Sequence, residues 1–215
     1  MARDCRCETE NHAPRFIVLT GGPGAGKTAV LEVARRRLCR HVAVLPESAS
    51  VVFGGGFPRR PSEPARRAAQ RAIYHMQREL ERMTDEERES PVVLCDRGTL
   101  DGVAYWPETA ESFWRDLGTS REGELRRYAV VIHLRTPSDG QGYNHQNPIR
   151  IEAAEEAARI DERILGAWEG HPRRIIVDSA DDFMVKRARA YELIRAEVPE
   201  CCQVRDEAEL GPAVS

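Results

Sequence analysis

Gly21-Gly22-Pro23-Gly24-Ala25-Gly26-Lys27-Thr28 fills every position of the spacing G-x-x-x-x-G-K-[ST], directly after the apolar run Phe16-Ile17-Val18-Leu19. A strand that turns through glycines into a helix presents backbone N–H groups and a helix N-terminus to one point, which makes a concave anion site. In such a loop the lysine reaches the β- and γ-phosphates and the hydroxyl ligates Mg²⁺, so Lys27 and Thr28 take those roles. The implied ligand is a nucleoside triphosphate, ATP with GTP as the alternative, together with Mg²⁺. A chance glycine turn is the competing explanation; the full match between a strand and a helical segment argues against it.

In an open α/β sheet, ligands bind beyond the carboxyl ends of the strands, so the residues that follow each apolar run are the next candidates. Glu47 follows Val42 to Leu45, Asp96-Arg97-Gly98 follows Val92-Val93-Leu94-Cys95, Arg135 follows Ala129 to Leu134, and Asp178 follows Ile175-Ile176-Val177. Asp96 suits the acid that holds Mg²⁺ directly or through water. Each of these carboxylates has a plainer alternative as the cap of the next helix. Arg159 and Arg163, one helical turn apart, follow a glycine-bearing polar stretch from Thr136 to Pro148 that also contains Tyr143, His145 and, after it, Arg150. That placement suits a lid whose arginines meet a transferring phosphate. Pairing with Glu155 or Glu162 is the alternative.

The segment Asp96-Arg97-Gly98-Thr99-Leu100-Asp101-Gly102-Val103-Ala104-Tyr105 resembles the Asp-Arg segment of thymidylate kinases. With Glu47-Ser48-Ala49, it is more similar to the P-loop ATPase and kinase family that includes the nicotinamide riboside kinase domain of bacterial NAD regulators, and more distantly to deoxynucleoside kinases. The likeness runs from about Arg15 to Val198. It implies that Asp96 and Arg97 manage metal and acceptor, and that Glu47 stands where deoxynucleoside kinases carry a base. Gly98 replaces the aromatic residue of thymidylate kinases, which argues against thymidylate as acceptor.

The elements that must position these groups follow from periodicity. Strands are expected at Phe16–Thr20, Val42–Leu45, Val92–Cys95, Ala129–Leu134 and Ile175–Val177. Helices are expected at about 27–40, 62–84 (Ala65, Ala69, Ile73, Met76, Leu80 and Met83 inward), 108–117, 149–168 (Ile151, Ala154, Ala158, Ile164 and Trp168 inward) and 181–198, the last capped by Ser179. Residues 46–61 read as a loop around Gly54-Gly55-Gly56. Alternation of strand and helix gives a three-layer α/β fold of the P-loop NTPase type, nucleoside- or nucleotide-kinase-like, with a five-stranded parallel sheet flanked by helices. The expected organisation is an arm at 1–14, one domain at 15–198 and a tail at 199–215.

Of 215 residues, 32 are basic and 35 acidic, a net charge of −3. This argues against bulk nucleic-acid binding and for small anionic partners, although Arg59, Arg60, Arg66, Arg67 and Arg71 form a local cluster that suits either an acceptor phosphate or a solvated helix face. Only Lys27 and Lys186 are lysines. Without an apolar stretch of roughly 18 to 20 residues or a signal-peptide core, a cytoplasmic protein is expected. Its six cysteines are then expected as thiols; Cys39 and Cys95 read as packing residues, and the spacing of Cys5, Cys7 and His12 with Cys201 and Cys202 matches no common zinc pattern.

The leading functional expectation is an ATP-dependent phosphotransferase acting on a nucleoside, nucleotide or similar polar acceptor. A nucleotide-hydrolysing regulator and a polynucleotide 5′-kinase are the alternatives. No N-K-x-D guanine signature or AAA-type sensor region is legible, which favours a kinase over a GTPase or a ring ATPase. The acceptor and the oligomeric state stay open.

Overall fold

The computed structural model describes residues 13–137, 148–179 and 182–203. Five strands, β1 (Arg15–Thr20), β2 (Val42–Leu45), β3 (Val92–Asp96), β4 (Val130–Leu134) and β5 (Arg174–Val177), form one wholly parallel sheet in the order β2-β3-β1-β4-β5. The three-layer α/β expectation is met. Register puts Leu19 opposite Asp96 and Thr20 opposite His133, so the chemistry-bearing strand ends share one edge of the sheet.

Side chains alternate across β1 because a strand repeats every two residues. Ile17 and Leu19 enter a core with Val30, Leu31 and Ala34 of α1 (Lys27–Arg37) and Ala190 and Ile194 of α7 (Phe183–Glu197). Val18 enters the opposite core, with Cys95 of β3, Leu100 of a 3₁₀ helix (Thr99–Tyr105), Ile164 of α6 (Pro148–Ala167) and Trp168 just past it. Full burial of one such aliphatic side chain contributes about 1.5–3 kcal/mol.

Three expectations need correction. The loop at 46–61 contains a helix, α2 (Ser48–Gly54), held by Ser48 Oγ donating to Gln77 Oε1 at 2.7 Å. The long helix α3 (Glu63–Glu87) buries Ala69 and packs Leu80 against the core as expected, but it also turns Tyr74, Gln77, Glu81 and Thr84 inward and leaves Met83 exposed. Polar burial is tolerated there because Glu81 accepts from Tyr128 Oη at 2.8 Å and pairs with Arg127, and Gln77 donates to Glu81 at 2.8 Å. On α7 the cap is Asp182, which accepts from Met184 N at 2.7 Å, instead of Ser179. The helix expected at 108–117 is α4 (Ala110–Leu117), capped by Thr109, and a short α5 (Arg121–Leu125) follows it.

Candidate active site

The phosphate loop bridges the end of β1 and the start of α1. Gly21 and Gly26 hold φ of 133° and 96°, where a side chain is strained. A Cβ on Gly21 would overlap the Leu134 carbonyl, and one on Gly26 would lie 2.6 Å from the Phe183 ring. Gly26 caps α1 without any side-chain hydrogen bond, so the first-turn N–H groups face the loop instead of a cap. Lys27 Nζ donates to the carbonyls of Gly21 at 2.9 Å and Gly22 at 3.0 Å. Burial, helped by the nearby Arg97 cation, lowers its pKa from the usual 10.5 to about 8. Thr28 is exposed at the end of the loop.

Neighbouring elements fix the loop from outside, through residues that sequence reading gave no role. Asp161 on α6, 1% exposed, accepts from Gly22 N at 2.8 Å and from Thr136 N at 3.3 Å, and meets His133 Nε2 at 2.9 Å. Burial alone would raise its pKa; the bonds from His133, Gly22 and Thr136 outweigh that and hold it below the usual carboxylate range. Lys186 Nζ on α7 donates to the Ala25 carbonyl at 3.0 Å and to the Arg135 carbonyl. Both lysines of the sequence therefore bind carbonyls of this one loop. Their rarity was the only local hint of it.

The strand-end residues gather beside the loop. Arg97 has φ of 72°, the left-handed region, which costs a non-glycine residue about 1–2 kcal/mol. Its N–H donates to the Leu19 carbonyl at 3.0 Å. Its guanidinium donates to Glu47 Oε1 at 2.7 Å, Asp101 Oδ2 at 3.1 Å and the Gly21 carbonyl at 3.1 Å. Glu47 also accepts from Ser50 Oγ at 2.5 Å. Burial pushes its pKa up, but the Ser50 bond and the Arg97 charge prevail and lower it, so Glu47 is ionised. Asp101 in turn accepts from Thr20 Oγ1 at 2.7 Å and Trp168 Nε1 at 2.6 Å. Trp168 occupies the space that Gly98 leaves: a Cβ there would lie 2.8 Å from its ring. The departure at Gly98 thus has a packing cause.

Asp96 Oδ1 is buried and has no hydrogen-bond partner among the described residues, and burial raises the Asp96 pKa. An orphaned carboxylate oxygen at the end of the strand beside the phosphate loop, near the Lys27 charge, fits a cation-holding group. Thr28 and Asp96 are the residues suited to hold Mg²⁺.

Next to Glu47 and Arg97 opens a cavity of about 410 Å³, walled by α2, α3 and the 3₁₀ helix. Arg59, Arg60, Arg66 and Arg97 line it, with Phe53, Tyr74 and Tyr105. The Arg59 guanidinium lies 4.1 Å from the centre of the Phe53 ring. The expected basic cluster therefore divides: Arg67 pairs with Glu108 and Arg71 with Asp116, outside the cavity. Arg159 and Arg163 are exposed and both meet Glu156, at 2.9 and 3.5 Å, whereas Glu162 pairs with Arg135. Arg163 still acts electrostatically on Tyr105. Asp178 is exposed and His133 is a core residue. Residues 138–147 and the Arg150 side chain lie outside the described part.

Sheet, loop and site together define a nucleotide-binding P-loop NTPase-type domain. A family model described as AAA domain matches residues 16–185, and the chain belongs to that family. No curated protein matches the chain. No helix of the described residues is long and apolar enough to cross a membrane.

Proposed function

We propose that this protein transfers the γ-phosphate of ATP to a small anionic or polar acceptor bearing a planar group, in the class of nucleosides and nucleotides. The carrying observation is the placement of a complete phosphate loop against a separate arginine- and aromatic-lined cavity, with Glu47 and Arg97 on the boundary. A hydrolase needs room only for water, whereas 410 Å³ accommodates a second small molecule. The resemblance of the Asp96 to Tyr105 segment to nucleotide kinases supports the same reading.

Phosphoryl transfer depends on in-line positioning and compensation of charge spread over the equatorial oxygens. Lys27 would exchange its two loop carbonyls for phosphate oxygens. Mg²⁺ held by Thr28 and Asp96 would supply further charge compensation. Arg97, fixed by Glu47 and Asp101, presents its cation between donor and acceptor sides. Glu47 accepts the acceptor's hydroxyl hydrogen bond and orients it. Its lowered pKa makes it a weak base, which suffices where bond formation to the acceptor lags behind cleavage. Arg163, with Arg159 beside it on α6, is the arginine suited to closing over the phosphate.

The test is transfer of labelled γ-phosphate from ATP, with GTP in parallel, to a panel of nucleosides, nucleotides, sugars and oligonucleotide 5′ ends. A labelled small-molecule product supports the proposal. Release of inorganic phosphate alone would favour a regulatory NTPase, and labelled oligonucleotide a polynucleotide kinase.

A further inference from the structure

The far end of α1 carries a second cluster. Cys39, just past the helix, His41, just before β2, and Cys202, in the 3₁₀ helix Glu200–Cys202 that follows α7, bring their ligand atoms within 4.8 Å of one another. Cys39 Sγ lies 3.1 Å from His41 Nδ1. The arrangement is built from backbone. Val42 N donates to the Cys39 carbonyl at 3.0 Å, a tight turn that brings Cys39 and His41 together. Cys39 N donates to the Cys202 carbonyl at 3.1 Å, which joins that turn to a segment 163 positions away in sequence.

We infer that Cys39, His41 and Cys202 form a structural zinc site. Two thiolates and an imidazole are the soft donor set that selects Zn²⁺. Tetrahedral Zn²⁺ with Zn–S near 2.3 Å and Zn–N near 2.0 Å sets ligand atoms roughly 3.5–3.8 Å apart. Shifts of about an ångström or less bring the three atoms to that geometry. The coordination step is balanced: each cysteine thiol loses its proton to solvent, the neutral imidazole gives a lone pair, and no oxidation occurs. A fourth ligand would complete the tetrahedron of a closed structural site. Such an ion would tie α1, β2 and the chain after α7 together. It lies about 16 Å, the length of an 11-residue helix, from the phosphate loop, so it would act on stability and leave nucleotide chemistry alone.

Native mass spectrometry and elemental analysis of the full chain, purified without chelator, test this. The expected result is about one Zn²⁺ per chain, lost in Cys39→Ser and Cys202→Ser, with triphosphate binding retained. Replacement of Zn²⁺ by Co²⁺ in the unmutated protein should give the absorption of a tetrahedral thiolate complex, a readout that does not depend on the variants folding. Protein that takes up no zinc after equilibration with the metal, that retains full zinc in Cys39→Ser, or that carries a Cys39–Cys202 disulfide in place of the metal would overturn the site.

Discussion

Asp161 Oδ1 accepts the backbone N–H of Gly22 at 2.8 Å, from a helix 139 positions further along the chain. This bond couples the phosphate loop to α6, the helix that also carries Arg159 and Arg163. The loop's shape is therefore not set by its own eight residues alone. A carboxylate buried beneath it, itself held by His133, keeps the second glycine in place.

Asp161→Ala should consequently weaken triphosphate binding by about tenfold or more and destabilise the fold by about 2–4 kcal/mol, because it leaves Gly22 N–H and His133 buried without their acceptor. Chemical denaturation alongside nucleotide titration measures both. Unchanged affinity in a folded variant would mean that the loop holds its shape unaided.

Lys27→Ala should abolish turnover while the protein stays folded, since the ammonium sits among loop carbonyls and takes no part in the hydrophobic core. In the free protein Lys27 has a pKa of about 8, and bound phosphate will raise it. Affinity should thus be flat below pH 8 and fall by up to about tenfold per pH unit above it, with proton uptake on binding. For stability the sign is the reverse. The folded pKa lies below the unfolded value of 10.5, so the cost of burying the charged lysine is present below pH 8 and is relieved as pH rises from 8 to 10.5. Calorimetric titration in buffers of different ionisation enthalpy reads the proton uptake.

Asp96→Asn should remove Mg²⁺-dependent turnover far more severely than Asp178→Asn, because Asp96 has an orphaned buried oxygen beside the loop and Asp178 is an exposed group. Glu47→Gln should lower kcat by about 10²–10⁴-fold while nucleotide binding persists. Steady-state kinetics with nucleotide binding on the three variants distinguish these roles; equal, mild losses would reject them.

Arg163→Ala should reduce kcat more than Arg159→Ala, since the Arg163 charge, after that of Arg97, is one that Tyr105 at the cavity feels. Loss of either exposed pair with Glu156 should change stability by less than about 1 kcal/mol. Hydrogen exchange with a bisubstrate analogue should show added protection across 136–165. Normal kinetics in both variants would make these arginines surface charge.

The sequence by itself determined the phosphate loop, the five strands and their parallel alternation, because those signals are local: glycines at fixed offsets, short apolar runs and a lysine followed by threonine. It also pointed to Glu47, Asp96 and Arg97, since residues at strand ends converge in any such sheet. Tertiary structure decided what lies between distant segments. Glu81 and Gln77 are polar and would be assigned to solvent by periodicity, yet Tyr128 and Arg127 satisfy them inside. Asp161 and Lys186 look like ordinary charges on amphipathic helices until α6 and α7 pack against the loop. Trp168 explains Gly98 only because α6, which it follows, packs against the 3₁₀ helix. Cys39, His41 and Cys202 have no zinc spacing in the chain, because the turn after α1 and the segment after α7 meet only in the folded protein. Local propensity writes the elements, while long-range burial of polar groups requires partners that no short window of sequence contains.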